Sequence, residues 1–233
     1  MDPFRSTIVA LRRRYGKPPV PVSRDPFQLI LWEHVAYLAP DPQRRLAFET
    51  LRDQVGLAPA KILAASPKKL EAIARIGGKI APALRAQRML ESAGRVLDEW
   101  DGDLSAALEL PLPKARKALM RFAMIGEPGA DKILVIAKKA RLVPLDSNAL
   151  RVLARLGFIT ETKNYSATYR RAQEVLAPSL PANHDWLEAA GALLRRHGQE
   201  TCLRSNPACA RCALYRSCPS SSVALTPRKS PAH

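Results

Sequence analysis

All four cysteines of the chain fall within seventeen positions, Cys202, Cys209, Cys212 and Cys218, in the spacing C-x6-C-x2-C-x5-C. Nothing upstream offers them a partner. Thiolates are the ligands that zinc and iron–sulfur clusters share, so four on one short segment suit a single inorganic centre. Structural zinc usually takes two C-x2-C-like pairs separated by a longer loop, and only Cys209 and Cys212 form such a pair. A disulfide framework fits less well, because no secretory signal precedes the fold and four cysteines are too few to staple 233 residues. The pattern favours a [4Fe-4S] cluster, with zinc and disulfides as alternatives.

Charge points to a polyanionic partner. Lys and Arg number 37 against 21 acidic residues, a formal charge of +16 with a pI near 10.2. Such a surface favours nucleic acid through counterion release and makes binding salt-sensitive, although a merely soluble basic protein has the same balance. With 47% hydrophobic residues the chain can bury a core in one or two domains. No apolar run is long enough to span a bilayer and no signal peptide is legible, so the expectation is a cytoplasmic, nucleoid-associated protein.

The pattern reads as all-α, helices joined by short Pro- and Gly-marked turns without strand-like alternation. Helical segments are expected at 4–14, 27–39, 43–55, 59–64, 67–75, 80–99, 103–108, 113–123, 129–140, 146–156, 165–176 and 184–196. The segment after Asp25-Pro26 is apolar except for Gln28, Glu33 and His34 and should be buried. The polar stretch 219–233 reads as a disordered tail, and no tandem repeat is present.

The cysteine spacing, led in by His197-Gly198-Gln199-Glu200-Thr201-Cys202, resembles the cluster loop of endonuclease III and its relatives. These are the iron–sulfur DNA glycosylases of the helix-hairpin-helix superfamily. The stretch Ala118–Leu134 resembles their DNA-binding hairpin, in which glycines let backbone N–H groups and a helix N-terminus approach a phosphate. The family form is glycine, an apolar residue, glycine. Here Gly126-Glu127-Pro128-Gly129 reads as a turn one residue longer, with Gly126 and Gly129 against DNA; an ordinary glycine-capped turn fits the stretch equally well.

Pro144-Leu145-Asp146-Ser147-Asn148 resembles the signature that carries the family's essential aspartate, at Asp146, with the D-x-N pattern of the mismatch-specific branch and Asn148 as a DNA contact. Asp146 also suits a plain N-cap, and the roles are compatible, since a helix N-terminus favours an anion. Arg24–Glu33 resembles the segment of the thymine- and adenine-mismatch glycosylases in which an acid follows the proline by seven positions, which makes Glu33 the catalytic glutamate. A helical Glu is ordinarily solvated, but the apolar residues around Glu33 suggest burial, which raises a carboxyl pKa as a general acid requires. Bifunctional members carry a nucleophilic lysine two residues beyond the second hairpin glycine. Asp131 holds that place here, and Lys132 is turned away by roughly 100°.

The resemblance therefore implies a monofunctional DNA glycosylase that hydrolyses the N-glycosidic bond of a damaged or mismatched base in double-stranded DNA, and that works as a monomer. A lyase acting through Lys132 and a non-catalytic DNA-binding repair accessory are the alternatives. Glu33 would handle protons and Asp146 would stabilise an oxocarbenium-like sugar. Two helical domains are implied: a six-helix barrel over 25–132, and a cluster domain from 1–24 plus 133–218, with DNA across the cleft between them. Arg204, Arg211 and Arg216 would bind backbone phosphate or serve as plain surface charge.

Overall fold

A computed structural model describes residues 2–221. Helices account for the architecture, and no strand occurs among the described residues. In chain order they are α1 (Pro3–Tyr15), α2 (Pro26–Val35), α3 (Asp41–Gln54), α4 (Pro59–Leu63), α5 (Pro67–Ile76) and α6 (Pro82–Trp100). After a 3-10 segment at Leu104–Glu109 come α7 (Leu112–Leu119), α8 (Glu127–Ile136), α9 (Ser147–Arg155), α10 (Tyr165–Leu176) and α11 (His184–Glu200). None is long and apolar enough to cross a membrane.

One local device starts many of them. A capping side chain precedes a proline whose missing N–H would have no partner in a first turn anyway. Asp2 accepts from the Arg5 amide before α1, Asp25 from Gln28 before α2, and Ser66 from Lys69 before α5. Asp146, Asn164 and Asn183 cap α9, α10 and α11 without the proline.

The departures from expectation have local causes. Helix α2 stops at Val35 instead of 39, because Ala36 is extended and Leu38 takes a left-handed φ of 50° before Pro40. Helix α7 ends at Leu119 instead of 123, and the turn that follows buries Phe122 and Ile125. The expected helix at 103–108 is a 3-10 segment, while α11 runs on to Glu200.

The chain divides into two compact units. One spans Pro21–Ala140 and holds α2 to α8; a boundary at 132 would cut α8, which continues to Ile136. Its core gathers Ile30, Leu31, Leu51, Ile62, Leu70 and Met89, with α4 and α5 packed along the long α6. Arg85, 3% exposed, donates to the carbonyls of Val35, Gly78 and Ile80 and so ties the end of α2 and the loop before α6 to this core.

The other unit takes the chain up to Val20 and the described residues from Arg141 onward. Phe4 of α1 meets Phe158 and Trp186 edge-on at centroid distances of 5.9 and 6.0 Å, and α9 packs against α11. Of the tail expected to be disordered, Ser220 and Ser221 hydrogen-bond to the Arg155 and Cys218 carbonyls. Residues 222–233 lie outside the described residues.

Candidate active site and metal centre

Helix α2 buries Leu29, Ile30, Leu31 and Val35 and leaves Glu33 partly open. The Glu33 side chain is 27% exposed and stands between two cations. Lys132 Nζ lies 2.7 Å from Oε1, and Arg44 Nη1 lies 3.3 Å from Oε2. Arg44 also donates to the Trp32 carbonyl and covers the Trp32 ring at 5.6 Å, so its guanidinium is fixed. The expected surroundings, a carboxyl group among apolar neighbours, are not what the fold supplies: these are the contacts of a carboxylate anion.

Lys132 points at Glu33 and not away from it. The reason lies one residue earlier, where Asp131 is 2% exposed and paired with Arg116 Nε at 2.6 Å. With Asp131 turned into the unit, the helical step of roughly 100° carries Lys132 round to α2.

The hairpin also differs from the sequence reading. Gly126 is the N-cap of α8, and Glu127, Pro128 and Gly129 form its first turn, so the four residues are not a lengthened turn. Pro128 sacrifices no hydrogen bond there, and an acid in a first turn complements the helix dipole. Met124 has a left-handed φ of 64° and Ile125 is buried, so the glycine–apolar–glycine geometry falls on Met124-Ile125-Gly126. The residue two beyond the second glycine is then Pro128, not Asp131. His34 holds this turn: its Nε2–H donates to the Ala123 carbonyl at 2.8 Å, while Nδ1 is buried without a protein partner among the described residues. Burial pushes His34 below the ordinary imidazole value, which keeps the ring neutral.

In the other unit Asp146 is both cap and exposed carboxylate. Oδ1 accepts from the Ala149 amide at 2.8 Å; Oδ2 lies 3.2 Å from Asn148 Nδ2 and 3.3 Å from Arg195 Nε. Both ends of the Asn148 amide are engaged within the protein, since its Oδ1 accepts from Arg151 Nη2. Arg151, 7% exposed, donates onward to the carbonyls of Gly198 and Cys202. Hydrogen bonds thus run from Asp146 to the segment that bears the first cysteine.

No cysteine is disulfide-bonded. All four line one cavity of about 370 Å³ whose walls include Val152, Leu156 and Leu214. N–H groups face the sulfurs: Arg155 Nη1 at 3.3 Å from Cys202 and the Leu214 amide at 3.4 Å from Cys212. His197 Nε2 lies 3.5 Å from Cys212, and burial lowers the His197 pKa to about 4. Burial raises the thiols of Cys212 and Cys218, with the neighbouring cysteines adding to the shift. Arg204, Arg211 and Arg216 are exposed around this loop.

No family model matches the chain. It is 26% identical over 199 residues to the endonuclease III of Sulfolobus acidocaldarius, covering 84% of this chain and 82% of that protein. The chain thus resembles endonuclease III over most of its length. Solved structures show the same fold: a trapped endonuclease III–DNA covalent intermediate matches with a TM-score of 0.73 at 18% identity, over 96% of this chain and 99% of that one. A thermostable thymine-DNA glycosylase matches with a TM-score of 0.74 at 15% identity, over 94% and 97%.

The residues that sequence reasoning missed are the partners of the expected ones. Arg44, Arg151, Arg195 and His34 each contact or anchor a candidate group, and nothing in the local sequence marks any of them for that role. Two glycines on α11 were a usable signal. A Cβ on Gly191 would stand 2.4 Å from the Pro144 carbonyl, and one on Gly198 would stand 2.8 Å from Asn148, so both mark where the Asp146 segment lies on α11.

Proposed function

We propose that this protein removes a damaged or mismatched base from double-stranded DNA by hydrolysing its N-glycosidic bond, acting as a base-excision repair glycosylase. Its resemblance to endonuclease III supports the reaction class, and a surplus of 16 positive charges suits the duplex. A DNA substrate would take it to the nucleoid. The target base must leave the stack, which costs least at a mismatch or lesion.

Glu33 and Asp146 would divide the chemistry. The observation that carries the reading is Glu33, held at 2.7 Å by Lys132 and at 3.3 Å by Arg44. A carboxylate held in that way can take a proton from an attacking water. Asp146, with one oxygen fixed as a cap, the other held by Asn148 and Arg195, and its side chain 38% exposed, would stabilise positive charge on the sugar. Phosphate contacts would come from the Gly126 turn and from Arg204 and Arg216, whereas Gly129 inside the helix and the engaged Asn148 are poorer candidates.

The four cysteines would hold a [4Fe-4S] cluster. A tetrahedral zinc ion, with Zn–S of about 2.3 Å, would draw four sulfurs to within about 4 Å of one another. All four cysteines line one cavity of about 370 Å³, which is room for a polynuclear cluster and more than a single ion needs. When bound, the cluster would cross-link the cysteine loop, with Arg155 and the Leu214 amide donating to the Cys202 and Cys212 sulfurs that would hold it.

A second reading has one observation in its favour. The Lys132 amine stands beside Glu33, so a lyase acting through Lys132 would need no residue at the Pro128 position. The test of the first reading is a panel of mismatched and damaged duplexes incubated with the protein and then treated with alkali. Base release followed by alkali-dependent cleavage is expected. Tight binding with no excision on any duplex would favour the non-catalytic accessory.

A further inference from the structure

Gly191, Arg195 and Gly198 stand four and three residues apart, on one face of α11. The two glycines let the backbone of Pro144 and Asn148 lie directly on that face, closer than any Cβ would allow. Arg195 is the long side chain between them. It reaches Asp146, which falls between Pro144 and Asn148, with Nε 3.3 Å from Oδ2.

We propose that Arg195 is a positioning residue for Asp146, setting the direction of the carboxylate oxygen left over once the other has capped α9. The inference rests on the reading of Asp146 as the residue that stabilises the sugar cation. Rotation about the Cβ–Cγ bond of an aspartate has no sharp staggered minima, so partners must choose its angle. The Ala149 amide fixes Oδ1. Asn148 approaches Oδ2 from within the same helix, and Arg195 approaches it from α11. Both partners of this ion pair are about one-third exposed, at 35% and 38%, and such a pair adds little to stability. Its consequence is therefore geometric, and losing it should leave the fold standing.

The experiment compares full-length wild type with Arg195→Gln and Arg195→Lys, on whichever duplex of the mismatch-and-lesion panel the wild type excises. Three quantities are read: the single-turnover excision rate at saturating protein, the Kd for the same duplex, and Tm. Arg195→Gln should lower the rate by about tenfold or more with Kd and Tm nearly unchanged, and Arg195→Lys should recover part of the rate. An unchanged rate overturns the inference. So does a loss confined to Kd and its salt dependence, which would make Arg195 a phosphate contact, or a rate loss that follows a fall in Tm. A wild type inactive on the whole panel, or an Asp146→Asn variant as active as wild type, would overturn the reading of Asp146 and this inference with it.

Discussion

Lys132 Nζ and Glu33 Oε1 are 2.7 Å apart although 99 positions separate the two residues in sequence. The Glu33 contact already occupies the Lys132 amine, and the backbone position two beyond Gly126 is a proline. The protein should therefore leave an intact abasic site, and borohydride should trap no covalent complex with substrate DNA. Trapping that vanishes in Lys132→Ala would establish the lyase instead, with Glu33 as the acceptor of the amine's proton.

Asp146→Asn separates the cap from the charge. Asparagine caps helices about as well as aspartate, so the Ala149 contact and Tm should be retained. Excision should fall by roughly two orders of magnitude or more, with duplex affinity little changed. Equal activity in the variant, measured by base release at saturating protein, would reduce Asp146 to a cap.

The metal centre has a direct assay. Anaerobically purified protein should be yellow-brown and carry about four irons per chain. Stoichiometric zinc without visible absorbance would rule the cluster out.

His34 should make the protein acid-sensitive. Its pKa is lowered by burial from 6.5, so below that value the unfolded chain takes up a proton that the folded protein refuses. The stability His34 contributes is complete above 6.5 and is lost as pH falls. His197 shifts in the same direction, so thermal melts from neutral pH down to about 5 must compare wild type with His34→Gln. The wild type should lose Tm more steeply; identical slopes would contradict the assignment.

Affinity for undamaged duplex should drop steeply from low to moderate salt, and Arg204→Ala should reduce the slope by about one if that side chain meets a phosphate. Salt-independent binding would make the charge of +16 incidental.

Much of this was legible locally. Capping residues and prolines announce their helices because the groups they satisfy lie within three residues, as at Asp25 and Ser66. The cysteines are legible for the same reason: ligands crowded on one segment meet in a single loop whatever the rest of the chain does. Glu33 and Asp146 could be singled out through resemblance. Their surroundings could not, because Lys132, Arg44 and Arg195 arrive from other helices.

The hairpin shows where the division falls. Residue pattern alone marks a junction with two glycines between two apolar helices. Tertiary structure decided its register, since a buried Ile125 and the His34 bond to Ala123 fix the turn and leave Met124 in a left-handed conformation that the sequence would assign to glycine. The same holds for Lys132: its rotation is set by the burial of Asp131 against Arg116. Local preferences depend on neighbours in the chain, while side-chain charge partners depend on which helix faces are buried, and that is settled only when the helices pack.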